Sequence, residues 1–255
     1  MMTLALILAL TGDETLTKAL EKAAALESYA FKGETEFQSQ FGNNAPAQVP
    51  SMDGKYQKDV GMHIKSDRGE IFRKGDRVLV KQGSGDWTDV ADVKPPAPAE
   101  GEKPNNRNRT RSAAFGKLMI RTFKAPHEEL KDLAKGFKEV KKAEKPEKIG
   151  DVDCAVYSSD LTEEAMKNAP LGRMLGQFGG AAATVTGSAR VWVDGSGNVV
   201  VYEISTKAAL EIQGTPIELG LVRRSEITEA GKAKVEVPEA VQKLLSAPPV
   251  KSEDK

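Results

Sequence analysis

Apolar positions along this chain change their spacing several times, and each change predicts an element. Over 13–27, Leu16, Ala19, Leu20, Ala23 and Leu26 recur at helical spacing, with Lys18, Glu21 and Lys22 on the other side. Asp13 suits the cap and Glu14 the first turn, so the pattern predicts an amphipathic helix with one wet face. From residue 29 the period becomes two. Tyr29, Phe31, Gly33, Thr35 and Phe37 alternate with Ala30, Lys32, Glu34, Glu36 and Gln38, as in a long half-buried strand. Residues 41–50, rich in Gly, Asn and Pro, read as a loop. Residues 55–64 read as a second strand, with Tyr56, Lys58, Val60, Met62 and Ile64 on one side. Residues 70–74 and 77–82 form a hairpin about Lys74-Gly75-Asp76, and Gly83-Ser84-Gly85-Asp86 turns the chain ahead of Trp87. The first third is therefore an antiparallel meander behind a helix.

The middle is less regular. Residues 91–112 hold Lys94-Pro95-Pro96-Ala97-Pro98 and then Arg107, Arg109 and Arg111, which predicts a long mobile insertion loop. Those arginines have no aromatic residues between them, which favours a solvated loop over a phosphate or acidic-lipid site. Residues 113–123 and 127–133 read as helices, the second with Pro126 near its start. Strands are predicted at 137–143 and 149–158 around a polar turn at 144–148. A helix over 162–178, capped by Thr162 and interrupted at Pro170, leads to Gly176, Gly179 and Gly180 as a flap.

The last third carries the clearest strand signal. Val185, Gly187, Ala189, Val191 and Val193 alternate with polar residues, Asp194-Gly195-Ser196-Gly197 turns, and 199–210 resumes the strand. A turn at Gly214 and a strand over 217–222 follow. Pro238 opens a closing helix through Leu245, and 247–255 reads as a disordered tail. The fold class is α+β, mainly antiparallel β, with 13–246 as a single domain.

Composition narrows the partners. The 255 residues carry 37 Lys+Arg and 37 Asp+Glu, so no global field draws the chain to nucleic acid. Aromatics at 5% make a poor stacking platform for single strands. One cysteine, Cys154, excludes an intrachain disulfide; within Val152-Asp153-Cys154-Ala155-Val156-Tyr157 it reads as a buried small hydrophobe. The apolar run 3–10 is too short to span a bilayer, which takes about 20 residues. It matches the core of an export signal, and the alternatives are a first strand or the start of a buried helix. Leu10-Thr11-Gly12 approaches a lipid-attachment pattern, but Asp13 stands where the cysteine would be. The expectation is export to the bacterial periplasm without a lipid anchor or a transmembrane span, with 1–12 as a short signal-like segment.

No motif selects a reaction. His63 and His127 lack metal-ligand spacing, so no metal and no cofactor are expected, and His63 falls on the polar side of its strand as an exposed residue. Asp194-Gly195-Ser196-Gly197 lies between two alternating strands as a hairpin turn rather than a nucleophile elbow. Glu163-Glu164 sits at a helix start, where the dipole favours acid.

The order of elements resembles a known family. A leading helix ending at Ser28-Tyr29 runs into a long strand, followed by hairpins from Met62-His63-Ile64 to Trp87 and a helical middle. Gly150-Asp151-Val152-Asp153-Cys154-Ala155-Val156-Tyr157 then pairs with Val191-Trp192-Val193-Asp194. This resembles the LolA and LppX/LprG periplasmic lipoprotein and lipid carriers over about 13–246. The resemblance implies a half-barrel antiparallel sheet with helices over its concave face and a non-enzymatic carrier or sensor of lipid or lipoprotein acyl chains. Membrane-associated proteins are the partners such a carrier would meet. By that analogy Phe31, Phe37, Met62, Ile64, Phe72, Val191 and Val193 face the chamber, and Met174, Leu175 and Phe178 belong to its lid. The same apolar residues would equally fill a dry core, leaving a structural or protein-binding module of the same fold. A hydrolase with an unrecognised carboxylate pair is a third reading. The family's functional arginine maps onto no one position here, and the 91–112 loop and the missing lipid-attachment cysteine are departures from the pattern.

Overall fold

The computed structural model describes residues 13–39, 47–93, 123–177, 184–212 and 215–247. Its centre is one open antiparallel sheet, a curved half-barrel of twelve strands among the described residues. The strands are β1 (Ser28–Ser39), β2 (Ala47–Gln57), β3 (Gly61–Ser66), β4 (Gly69–Lys74), β5 (Arg77–Gln82) and β6 (Thr88–Asp89). After the helical middle come β7 (Lys141–Lys142), β8 (Glu147–Ile149), β9 (Val152–Asp160), β10 (Thr184–Asp194), β11 (Val199–Ile212) and β12 (Thr215–Thr228). Two meanders meet where β1 pairs with β12, giving the order β6-β5-β4-β3-β2-β1-β12-β11-β10-β9-β7, with β8 also on β9. Register shifts between Gly33 and Thr35 and between Trp192 and Val193 mark bulges, which add local twist.

The helices are α1 (Glu14–Ala24), α2 (Pro126–Leu133), α3 (Glu163–Asn168), α4 (Pro170–Gln177) and α5 (Glu239–Ser246). None among the described residues is long and apolar enough to cross a membrane. Asp13 caps α1 by accepting from the Thr15 N–H, and Thr162 caps α3 by accepting from the Ala165 N–H. Glu128 reaches back from α2 to accept the Ala125 N–H. The break between α3 and α4 falls at Ala169, just before Pro170, as the proline requires.

The sheet's two faces are covered by different elements. On the inner face, Leu16 and Leu20 of α1 and Leu130 and Leu133 of α2 pack onto Tyr29, Phe31, Met62, Ile64, Val191 and Tyr202. On the outer face, α5 places Val241 against Phe72 and Leu79, and the Arg77 guanidinium donates to the carbonyls of Leu245 and Ala247 at the end of that helix. The outer face of the other half gathers Cys154, Val156, Trp192 and Val201, with Cys154 fully buried. Burial raises the pKa of its thiol.

Several boundaries depart from the expectations. The predicted loop at 41–50 is strand from Ala47 onward. The continuous strand over 55–64 is two strands, because Asp59 adopts φ 67° in a turn closed by the Val60 N–H to the Gln57 carbonyl. The strand over 149–158 is likewise the hairpin β8–β9, turning at Gly150 with φ 58° rather than at 144–148. The strand over 137–143 shrinks to a bridge at Phe137 and the two residues of β7. The strand predicted over 217–222 runs on to Thr228. The 1–12 segment, nearly all of the 91–112 loop, the 113–123 helix apart from Phe123, the turn at Gly214 and the 248–255 tail lie outside the described residues.

Candidate functional site

The inner face divides along its length. At its proximal end, under α1 and α2, five predicted chamber residues come together: Phe31, Met62, Ile64, Val191 and Val193 are each no more than 3% exposed. Phe31 lies directly over Gly54, where an added Cβ would sit 2.1 Å from the ring. This region is filled by side chains. Tyr29 joins it, its hydroxyl 2.7 Å from His127 Nδ1 while accepting the His127 backbone N–H at 3.3 Å. The hydroxyl can donate to Nδ1 or accept from it, according to which ring nitrogen carries the proton. Burial lowers the pKa of His127 and raises that of Tyr29, which keeps both groups neutral. Tyr56 stacks on His127 with ring centroids 4.2 Å apart, and the two rings border an open cavity of about 510 Å³ with Arg73 and Glu128 on its rim.

At the distal end, Phe37 and Leu175 share a cluster with Val185 and Leu219 around Leu171, Ala208 and Leu221. The first four are only half-buried. Phe37, expected in the chamber, and Leu175, expected in the lid, meet in this one patch beneath α4. Met174 belongs to α4, but its side chain lies outside the described residues, as does Phe178.

Phe72 is a correction. It pairs with His63 and not with Met62 or Ile64, so it points to the outer face and packs with Leu79 and Val241 under α5. His63 is a second correction, since it is not an exposed residue. Its side chain is 10% exposed, Nε2 lies 2.8 Å from Glu70 Oε2, and Phe72 and Trp87 flank the ring. Burial, outweighing Glu70, lowers its pKa.

Between the two ends lies a buried polar cluster that the sequence patterns did not single out. Arg223 and Glu129 face each other at 2.7 Å, with side chains 5% and 4% exposed, and the Tyr202 hydroxyl donates to Glu129 Oε2 at 2.7 Å. Burial and then the Glu129 carboxylate raise the pKa of Tyr202 well above its ordinary value. The Arg223 guanidinium also stacks on Phe123 at 4.4 Å. A signal for it exists in the parity of β12. Leu219, Leu221, Arg223, Ser225 and Ile227 occupy alternate positions, so an arginine and a serine interrupt an apolar face that resumes at Ile227.

No group of three or more His, Cys, Asp or Glu side chains that could hold a metal ion is gathered among the described residues. The carboxylates nearest the interior are held by cations, Glu129 by Arg223 and Asp132 by Lys124. Asp194 spends its carboxylate on the Ser196 and Asn198 N–H groups, as a hairpin turn requires.

No family model matches the sequence, and no curated protein matches it. Solved structures similar in arrangement include LprF from Mycobacterium bovis, 12% identical, covering 89% of this chain and 95% of that one at a TM-score of 0.44. A DUF1329 family protein from Desulfovibrio piger is 9% identical, covering 88% and 93% at a TM-score of 0.30. Likenesses of this size say nothing of what the chain binds.

Proposed function

We propose that this protein is a non-enzymatic carrier or sensor that holds a lipid or lipoprotein acyl chain against the distal inner face of its sheet. The observation that supports this is the patch of Phe37, Leu175, Val185 and Leu219, which stays only half-buried beside a proximal interior that is filled. Apolar side chains left partly wet on an otherwise packed face are where an apolar guest gains most. Export is part of the same reading and rests on the apolar run at 3–10. The proposed binding residues are therefore Phe37 and Leu175, with Phe31, Met62, Ile64, Val191 and Val193 as the packed floor that holds the sheet's shape.

The alternative, a protein-binding module, calls for a long unpaired edge strand. The sheet's described outermost strands are Thr88–Asp89 and Lys141–Lys142, two residues each, which favours the carrier.

Purification without detergent followed by native mass spectrometry, and titration with a fluorescent acyl probe, test the reading. Co-purifying lipid or saturable probe binding that weakens in Leu219→Asn is the expected result. Absence of both lipid and saturable binding overturns it.

A further inference from the structure

We propose that the guanidinium groups of Arg173 and Arg223 anchor the anionic head, carboxylate or phosphate, of an amphiphile whose chain lies on the distal patch. The inference rests on the carrier reading above and assigns its ligand a charge.

The polar cluster holds more cation than its carboxylates neutralise. Arg223 is paired with Glu129, Lys124 with Asp132 and Arg73 with Glu128. Arg173 of α4 lies within electrostatic range of Glu129, Arg223, Asp132 and Glu128, and among the described residues it donates from Nη1 to the Asn168 carbonyl at 2.7 Å. Four cations therefore meet three carboxylates, each already engaged. Both arginines also keep a buried Nε–H with no partner among the described residues, and Arg223 is itself 4% exposed. An unsatisfied N–H on a buried cation costs more than one on a neutral group, and an anion is the partner that satisfies it best.

Position links this charge to the apolar patch. Arg223 stands two residues along β12 from Leu221, on the same face; Arg173, on the other side of α4 from Leu171 and Leu175, comes within electrostatic range of Arg223 through its long side chain. Leu171, Leu175 and Leu221 all belong to the distal cluster. A chain laid on that cluster would carry its head to the two guanidiniums. Arg223 is buried beneath the helices, so the head would have to displace its cover as it enters.

Calorimetric titration of the full chain with dodecanoate, dodecyl phosphate and dodecanol separates head from chain. Either anion should bind at least tenfold more tightly than dodecanol, and the tighter of the two identifies the head chemistry. Arg173→Met should lose about tenfold for the anions and nothing for the alcohol, with Arg173→Lys restoring part of the loss. Circular dichroism of each variant verifies its fold. Equal binding of all three ligands, or an unchanged anion affinity in Arg173→Met, overturns the headgroup anchor and leaves the carrier reading standing. Binding of none of the three overturns both.

Discussion

At the proximal end of the inner face, Phe31, Ile64 and Val193 are shut in by α1 and α2; at the distal end, Phe37, Val185 and Leu219 have α4 over them among the described residues and keep part of their surface wet. The same sheet serves both ends, and the same kind of residue points inward. What differs is the cover. α1 brings four buried residues, Leu16, Ala19, Leu20 and Ala23, and α2 adds Leu130 and Leu133, whereas among the described side chains of α4 Leu171 is fully buried. How dry each part of the sheet face is thus follows how much helix lies on it. The Arg223–Glu129 pair marks the border between the two regimes.

The border is the place to break this contrast with the largest effect. Arg223→Met leaves Glu129 buried and unpaired, which should cost about 3–5 kcal/mol in chemical denaturation. Replacing both, Arg223→Met with Glu129→Leu, should recover most of that loss, because two apolar side chains need no partner there. A double variant as unstable as the single would show that the pair's geometry, not its charge, holds the border.

Much of this arrangement is legible in sequence. The helix of α1, the hairpin at Gly75, the cap at Thr162, the break before Pro170 and the strands β10 and β11 all follow from spacing and turn chemistry. The failures share a cause. Alternation across Tyr56 to Met62 continues through a turn, because Asp59 takes a left-handed conformation that its residue type permits but does not announce. The size of Phe72 suggests an inward position, yet a two-residue hairpin loop and cross-strand register decide its side, and α5 covers it from more than 160 residues away. The polar cluster is hidden for the opposite reason. Arg223 looks like the end of a buried strand, and its distant partner Glu129 makes that position tolerable.

Acid should loosen the proximal end selectively. Both His127 and His63 have their pKa lowered by burial, so the unfolded chain binds their protons more readily than the folded one. Their contribution to stability is therefore present above the unfolded value of about 6.5 and is lost as pH falls through and below it. For His127 burial supplies the reason, since a charged ring between Tyr29 and Tyr56 would be cut off from water. The denaturation midpoint should drop between pH 7.5 and pH 5, with amide exchange rising first in α2 and β1. His127→Phe should flatten part of that slope; an unchanged slope in this variant would remove His127 from the account.

The smallest change in stability should fall at the distal end, and it is the most informative. Leu219 is half-buried, so truncation to alanine forfeits only part of the roughly 1.5–3 kcal/mol that full burial of a leucine contributes, about 1 kcal/mol. The matching cut at the proximal end, Ile64→Ala, removes a side chain 2% exposed and should cost about 2–5 kcal/mol. Binding should rank the two the other way, since an acyl chain would cover Leu219 and would not reach Ile64. Titration of both variants with the same acyl probe, alongside their denaturation curves, tests this crossing directly. If Ile64→Ala instead weakens binding while Leu219→Ala does not, the guest enters the packed end, and the division of the face into floor and binding surface is wrong.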